Sequence, residues 1–409
     1  MSATANWRTV AALGSAQTLS WGSTYYLPAM LAVPMARTLG IATPIVFMAF
    51  SLALIVSALI GPLAGRAIDH WGGRPVLLGA NLVFAVGLGC LSMVQGTVTL
   101  IAAWVLIGIA MGGGLYEAAF SALVRLYGKN ARNAITGITL IAGFASTVSW
   151  PLTTLMDAHW GWRGACLGWA ALHLLVGFPL NWSIPKAVAR VAKSSVVESP
   201  ATMEPATPVT PADPELSARP RLAAGLLSFL FAATYFTSTA MATHLPQLLQ
   251  ASGATLAAAV AIGALVGPAQ VAGRLLEFGF LRRVHPLLSA RLATLGHPLG
   301  AAALLVLGAP GAAAFALLHG AGNGILTIAK GTLPLVLFGP QGYGARQGML
   351  TMPARICQAF APAVFGLCLE RWGVGALWLS TLLGLMAFGA LLLMPGPRNA
   401  PLTAAPQNI

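Results

Sequence analysis

Charge is what this sequence has least of. Asp, Glu, Lys and Arg make up 8% of its 409 residues, against about 25% in a soluble domain. A water-facing surface cannot be covered at that density, which excludes a soluble enzyme, a disordered chain and a coiled coil. Acids are scarcest: nine against 22 basic residues, a net charge of 22 − 9 = +13. In a soluble protein that balance would point to nucleic acid. Here the basic residues are scattered, never four in a run. No nucleic-acid partner is expected, and the excess is read as loop charge beside anionic lipid. Cysteine is sparse too. Cys90, Cys166, Cys357 and Cys368 lie in apolar stretches and form no C-x-x-C pair, so buried free thiols are expected rather than disulfides or a zinc site. There is no G-K-[ST] phosphate loop, no H-E-x-x-H and no nucleophile elbow. ATP-driven transport and membrane-bound hydrolysis therefore lack support, and no enzyme, metal or cofactor is expected.

Apolar residues are abundant, at 57%, and mean hydropathy is +0.80. This is the composition of a multi-pass membrane protein. A spanning helix needs about 20 apolar residues, and twelve such stretches can be placed. Spans 1 to 6 cover residues 10–36, 44–68, 75–94, 97–124, 134–155 and 164–184. Spans 7 to 12 cover 222–249, 256–278, 286–307, 311–333, 348–368 and 373–394. Arg8 and the run after it look superficially like a signal peptide, but the run continues to Met35, too long for one. Residues 186–221 differ in kind. They are rich in Pro, Thr, Ser and Ala and hold nine of the 31 charges, which predicts a flexible cytoplasmic linker. The expected organisation is a six-helix bundle over 1–185, the linker over 186–221, a second bundle over 222–395 and a tail over 396–409.

The halves repeat. Leu27-Pro28 recurs as Leu245-Pro246, Gly65-Arg66 as Gly273-Arg274, Ala131-Arg132 as Ala345-Arg346 and Trp160-Gly161 as Trp372-Gly373. The order is kept and the offsets run only from 208 to 218. Two equivalent bundles around a shared site is a common transporter plan. Placing the N-terminus inside puts 16 Lys and Arg on the inner side and 3 on the outer. By the positive-inside rule both termini and the linker are cytoplasmic. The expected location is a bacterial-type inner (plasma) membrane, as a monomer.

The loop after span 2 reads Gly65-Arg66-Ala67-Ile68-Asp69-His70-Trp71-Gly72-Gly73-Arg74-Pro75. It resembles the signature G-x-x-x-D-x-x-G-x-[RK] of the major facilitator superfamily. Gly65 would let neighbouring backbones approach. Gly72 permits a tight turn. Asp69 offers a charge that a helix N-terminus attracts, and Arg74 can pair with it. The resemblance implies a cytoplasmic gate that latches against span 11, with Arg346 as candidate partner. A finer resemblance is carried by Tyr127-Gly128-Lys129-Asn130-Ala131-Arg132 with Gly137 and Ala142-Gly143, and by Gln270-Val271-Ala272-Gly273-Arg274. These patches are similar to the monocarboxylate-porter-like branch, with Gln270 where the branch has an acid. That resemblance implies carboxylate binding by Arg274. The internal repeat instead makes Arg274 the twin of Arg66, and both readings stand.

Charge at bilayer depth is costly and usually functional. Glu117 in span 4, Lys330 in span 10 and Arg355 in span 11 are the cases here. Glu117 has two readings: a proton carrier, or half of a static salt bridge with Arg355, Lys330 or Arg125. The cations outnumber the acid, which favours an anion, held by Arg355 and assisted by Lys330. The alternative for Lys330 is snorkelling to the cytoplasmic edge. Spans 1 and 7 are polar at equivalent depth and should line the cavity, with Gln17, Ser20 and Thr24 on one face and Tyr25 beside it. Gln270 and Asn323 join the candidate substrate site. Tyr26 reads as an outer aromatic-belt residue. His244, His297 and His319 have a pH-sensitive reading, with hydrogen-bonded packing residues as the preferred one. Trp104, Trp169 and Trp378 read as core or lipid-facing. The fold expected is all-α, with twelve spans in two pseudo-symmetric bundles. The function expected is alternating-access transport of a small organic anion such as a monocarboxylate, coupled to protons. An exporter of drugs, metalloids or other toxic compounds is the alternative, and a non-transporting receptor a third class.

Overall fold

A computed structural model describes residues 6–186, 220–281 and 284–394, apart from the side chains of Ser146 and Val260. The expected linker thus lies almost wholly outside the described residues, as does the tail. Among the described residues every regular element is helical. Eight helical runs are long and apolar enough to cross a bilayer. One of them, Thr97–Trp182, has 86 residues, about 130 Å if straight, several times the roughly 30 Å hydrocarbon core. It turns back twice, at Gly128 and Gly161, both with positive φ, and so forms spans 4, 5 and 6. Tyr343–Leu392 turns once at Gly373 and forms spans 11 and 12. Span 1 is two shorter helices, Trp7–Ser23 and Leu27–Leu39. With it the described residues are consistent with twelve spans.

Proline chemistry explains the break in span 1. Pro28 has no N–H, and its ring clashes with the carbonyl four residues back. That residue, Thr24, has left helical geometry at φ −126° and ψ −75°. The equivalent Pro246 sits inside Pro220–Ala251, which runs on as one helix for span 7. Span 4 is also divided, into Thr97–Gly114 and Tyr116–Tyr127. Its break leaves the Gly114 carbonyl to be met by Gln17 Nε2 at 2.7 Å.

Packing repeats between the halves. Span 2 packs on 4 as 8 packs on 10, span 3 on 4 as 9 on 10, and span 1 on 6 as 7 on 12. The first half has one continuous apolar core, with Trp104 and Trp169 fully buried in it. The second half has two, one at each end of its spans. The layer between them is polar: Thr237, Thr294, His297, His319 and Gln358 are all buried there. Trp378 is exposed. The cysteines are free, but only Cys166 is buried and Cys90 is exposed, so the buried-thiol expectation holds for one of four.

Candidate functional site

The break in span 4 sets the site. Helix restarts at Tyr116, which puts Glu117 in its first turn, where a carboxylate is favoured by the helix dipole. Glu117 Oε2 accepts from Arg355 Nη2 at 2.6 Å, and both side chains are at least nine-tenths buried. Tyr235 Oη donates to Glu117 Oε1 at 2.6 Å. Lys330 Nζ stands over the Tyr235 ring, 3.8 Å from its centroid. Lys330 is buried, so it does not snorkel, and among the described residues it makes no salt bridge. Three groups from three spans thus converge on one tyrosine, with two cations to one carboxylate. Arg355 Nη1 is buried and has no hydrogen-bond partner among the described residues.

A second polar cluster lies one turn along spans 7 and 11. Tyr25, in the break of span 1, shares a 3.1 Å hydrogen bond with Thr239. Gln358 Nε2 donates to both, at 3.2 and 3.1 Å. Rings surround the pair of clusters: Trp21 packs on Tyr25, Tyr26 and Tyr116, and Tyr116 stacks on Phe120. Tyr26, partly buried, also packs on Trp150, which is exposed.

Glycine and a carboxylate form the contact between spans 2 and 11. A Cβ on Gly65 would stand 2.0 Å from the Gly344 carbonyl oxygen, so these backbones touch only because both residues lack side chains. The approach brings Asp69 to the start of span 11. Its Oδ1 accepts from Gly344 N at 2.9 Å and its Oδ2 from Ala345 N at 2.8 Å. Two expectations change here. Arg346 does not bond Asp69; it donates to the carbonyls of Phe338, Gly339 and Gln341. Arg74 lies over the Trp182 ring at 4.5 Å instead of pairing with Asp69. Backbone N–H groups at a helix N-terminus have taken both carboxylate oxygens. Gly72 makes the turn expected of it, at a positive φ of 86°.

The other expected site residues are dispersed. Thr24 gives its hydroxyl to the Ser20 carbonyl in its own helix, and Gln17 caps the span 4 break. Gln270 meets span 10 through backbone, against Gly324. Asn323 donates to Ser238 at 3.2 Å. Arg274 reaches across to span 5, where Nη1 donates to the Thr139 carbonyl at 3.1 Å beside Gly143. Tyr235 was expected only as one of the polar span 7 residues lining the cavity, not as the partner of Glu117. The offset of 218 that aligns Leu27-Pro28 with Leu245-Pro246 also aligns Gln17 with Tyr235, and that was the available signal. Sequence reasoning passed over Arg132 and Glu277, which join spans 5 and 8 at 3.2 Å. This bridge is the counterpart of the Asp69 contact on the same side of the molecule.

Comparison with known proteins agrees with this architecture. The family model described as Major Facilitator Superfamily matches residues 13–312. Over 113 residues the chain is 32% identical to "Multidrug resistance protein fnx1" of Schizosaccharomyces pombe; the match covers 27% of this chain and 21% of that protein. The chain thus spans about a fifth of the length of that relative. The crystal structure of the human organic anion transporter MFSD10 (TETRAN) superposes with a TM-score of 0.67 at 15% identity, covering 94% of this chain and 99% of that one. A likeness at that identity is one of fold. Taken with the family model, the twelve-span repeat and the loop after span 2, it places this chain in the Major Facilitator Superfamily, whose members are multi-pass membrane transporters and not enzymes.

Proposed function

We propose that the protein is a proton-coupled transporter of a small organic anion such as a monocarboxylate, with Arg355 as the anion site and Glu117 as the proton site. The observation that carries this reading is the unpartnered Arg355 Nη1. A guanidinium binds carboxylates with both arms, yet only Nη2 is used on Glu117. Protonating Glu117 removes its claim on Arg355 and leaves a buried cation that needs an anion. A substrate carboxylate supplies it. Lys330 adds positive field, and Tyr235 orients Glu117 in either protonation state, because a carboxyl still accepts at its carbonyl oxygen. When the anion leaves, deprotonated Glu117 reclaims Arg355. Proton and anion are thereby bound together or not at all.

The Asp69 contact and the Arg132–Glu277 bridge are then the gate, closed in this structure. The excess of Lys and Arg on that side makes it the cytoplasmic one. Both termini and residues 186–221 belong there too, and the membrane is of the bacterial inner type, with the chain acting as a monomer. Opening that side requires Gly65 to part from Gly344. The test is thermal stabilisation of purified protein by a panel of carboxylates, oxyanions and lipophilic cations at acid and neutral pH. A carboxylate should stabilise more at acid pH, and Arg355→Gln should abolish the effect. Stabilisation by lipophilic cations alone would overturn the reading.

That second outcome belongs to export of toxic compounds. It is favoured by the rings of Trp21, Tyr25, Tyr26, Tyr116 and Phe120 close to Glu117, a setting in which a lipophilic cation gains ring contacts and a counter-charge. The name of the partial fission-yeast match fits it as well. In that reading Glu117 binds the cargo and Arg355 is its resting partner.

A further inference from the structure

The polar layer of the second half contains two histidines that the site above does not use. His297 on span 9 and His319 on span 10 meet Nδ1 to Nδ1 at 3.0 Å. Both are at least nine-tenths buried, and both pack on the Phe315 ring. Among the described residues His297 Nε2 has no hydrogen-bond partner. The pair lines a cavity of about 30 Å³, whose other polar lining is Thr234, Thr237, Ser238, Thr294 and Asn323. A water needs roughly 10–15 Å³ of such space and two or more polar partners, so this cavity has room for one. The layer separates the two apolar cores of the second half.

Among the described residues no charged side chain lines the cavity. On span 10 the nearest is Lys330, eleven residues along, about 16 Å. Span 9 carries Arg291, which is bound to the Leu391 and Met394 carbonyls. Span 7 brings Tyr235, bonded to Glu117, and His244, bonded to Gln247 and the Pro362 carbonyl. Span 8 brings Arg274 and Glu277, both bonded to span 5. Arg355 of span 11 is held by Glu117. Span 12, Leu377–Leu392, has no ionisable residue.

We propose that His297 and His319 form a proton-binding site within the second half, distinct from Glu117 and filled when the adjoining cavity takes up water. The pairing requires one Nδ1–H donor and one bare Nδ1 acceptor, hence opposite tautomers. With His297 as donor, its unpartnered Nε2 is a bare lone pair. An added proton bonds there and becomes an N–H facing no protein acceptor. The Nδ1–H···Nδ1 bond survives, and the charge spreads over two rings. An imidazolium without a counter-ion is costly in a dry interior. Water between Nε2 and the Thr and Ser hydroxyls lowers that cost, so proton binding and wetting of the cavity go together.

Span 7 ties this site to the central one. Ser238 lines the cavity and bonds Asn323, while the next residue, Thr239, bonds Tyr25 across the halves and accepts from Gln358 within its own half. A shift of span 7 that admits water to the pair therefore also disturbs the cross-half cluster. The inference stands whether the cargo is an anion or a cation.

The test is nitrogen NMR of ¹⁵N-histidine-labelled full-length protein in lipid, titrated from about pH 8 to about pH 5. His297→Gln and His319→Gln assign the two rings among the seven histidines. Both rings should respond together to a single proton. In either variant the remaining ring should lose that step, and in Glu117→Gln the step should persist. Rings that titrate alike in wild type and single variants would overturn the proposal, as would a pair neutral throughout the range. Loss of the step in Glu117→Gln would assign the proton to the central site instead. The two variants remove opposite partners, so one that folds suffices.

Discussion

Replacing Asp69 by asparagine isolates the contact between spans 2 and 11. The carboxylate accepts from two backbone N–H groups, at 2.9 and 2.8 Å. Hydrogen bonds to a charged group contribute about 1.5–3 kcal/mol each, and the charge opposite a helix N-terminus adds about 0.3–1 kcal/mol. Asparagine keeps one oxygen. Its amide nitrogen then faces an N–H, donor against donor, so one bond is lost and the other becomes neutral. Asp69 is only half-buried, and water competes for the freed groups. The net loss is about 2–3 kcal/mol, a shift of about 30- to 150-fold toward the open form on that side. Spin labels at Trp71 and Phe280, exposed positions in opposite halves, report the separation in a background without the four cysteines. Asp69→Asn should lengthen the distance and cripple transport, while ligand binding at Arg355 and overall folding persist. An unchanged distance distribution with unchanged transport would refute the clasp as a determinant of the closed state.

Gly65→Ala should move the same equilibrium without touching a hydrogen bond, because the added Cβ meets the Gly344 carbonyl oxygen at 2.0 Å; the same labels read it. Glu117→Gln should cost about 3–5 kcal/mol of stability by stranding a buried Arg355, and Glu117→Gln with Arg355→Gln together should recover most of it in thermal unfolding. Additive losses in that double variant would dissolve the pair. Arg132→Ala and Glu277→Ala should couple by about 0.5–3 kcal/mol in a double-mutant cycle. Gln17→Leu should cost about 1–3 kcal/mol by leaving the Gly114 carbonyl unmet, again read by thermal unfolding.

Much of this was legible because membranes enforce simple rules. Twelve apolar stretches, the repeat and the loop after span 2 are composition and spacing, and a bilayer leaves few alternatives to helices. Glu117 and Arg355 stood out because charge at that depth is rare. What the sequence hid was pairing. Asp69 looked like a partner for Arg74 or Arg346, the charges visible in one-letter code. Its partners are backbone N–H groups, which nearly every residue carries and no letter records. Tyr235 stood in a polar run of span 7 with nothing to single it out, whereas Arg355, 238 positions from Glu117, was already one of three partners expected for it. The break in span 1 was written in Pro28, but the equivalent Pro246 leaves its helix unbroken, so proline alone does not decide.

The clasp on span 11 also has an uneven exposure to mutation. Its receiving groups are the main-chain amides of Gly344 and Ala345, and substitution leaves an amide in place unless the newcomer is proline. Side-chain changes on that face act only through bulk, as at Gly344, whose Cβ would meet the Gly65 oxygen at 2.3 Å. Proline on span 11 apart, the attraction can therefore be deleted from one residue alone, Asp69. Drift in span 11 can erode the fit of the two backbones but cannot remove the donors. Selection on the closed state then falls on one acid and a few glycines, while the rest of that helix face is free to vary.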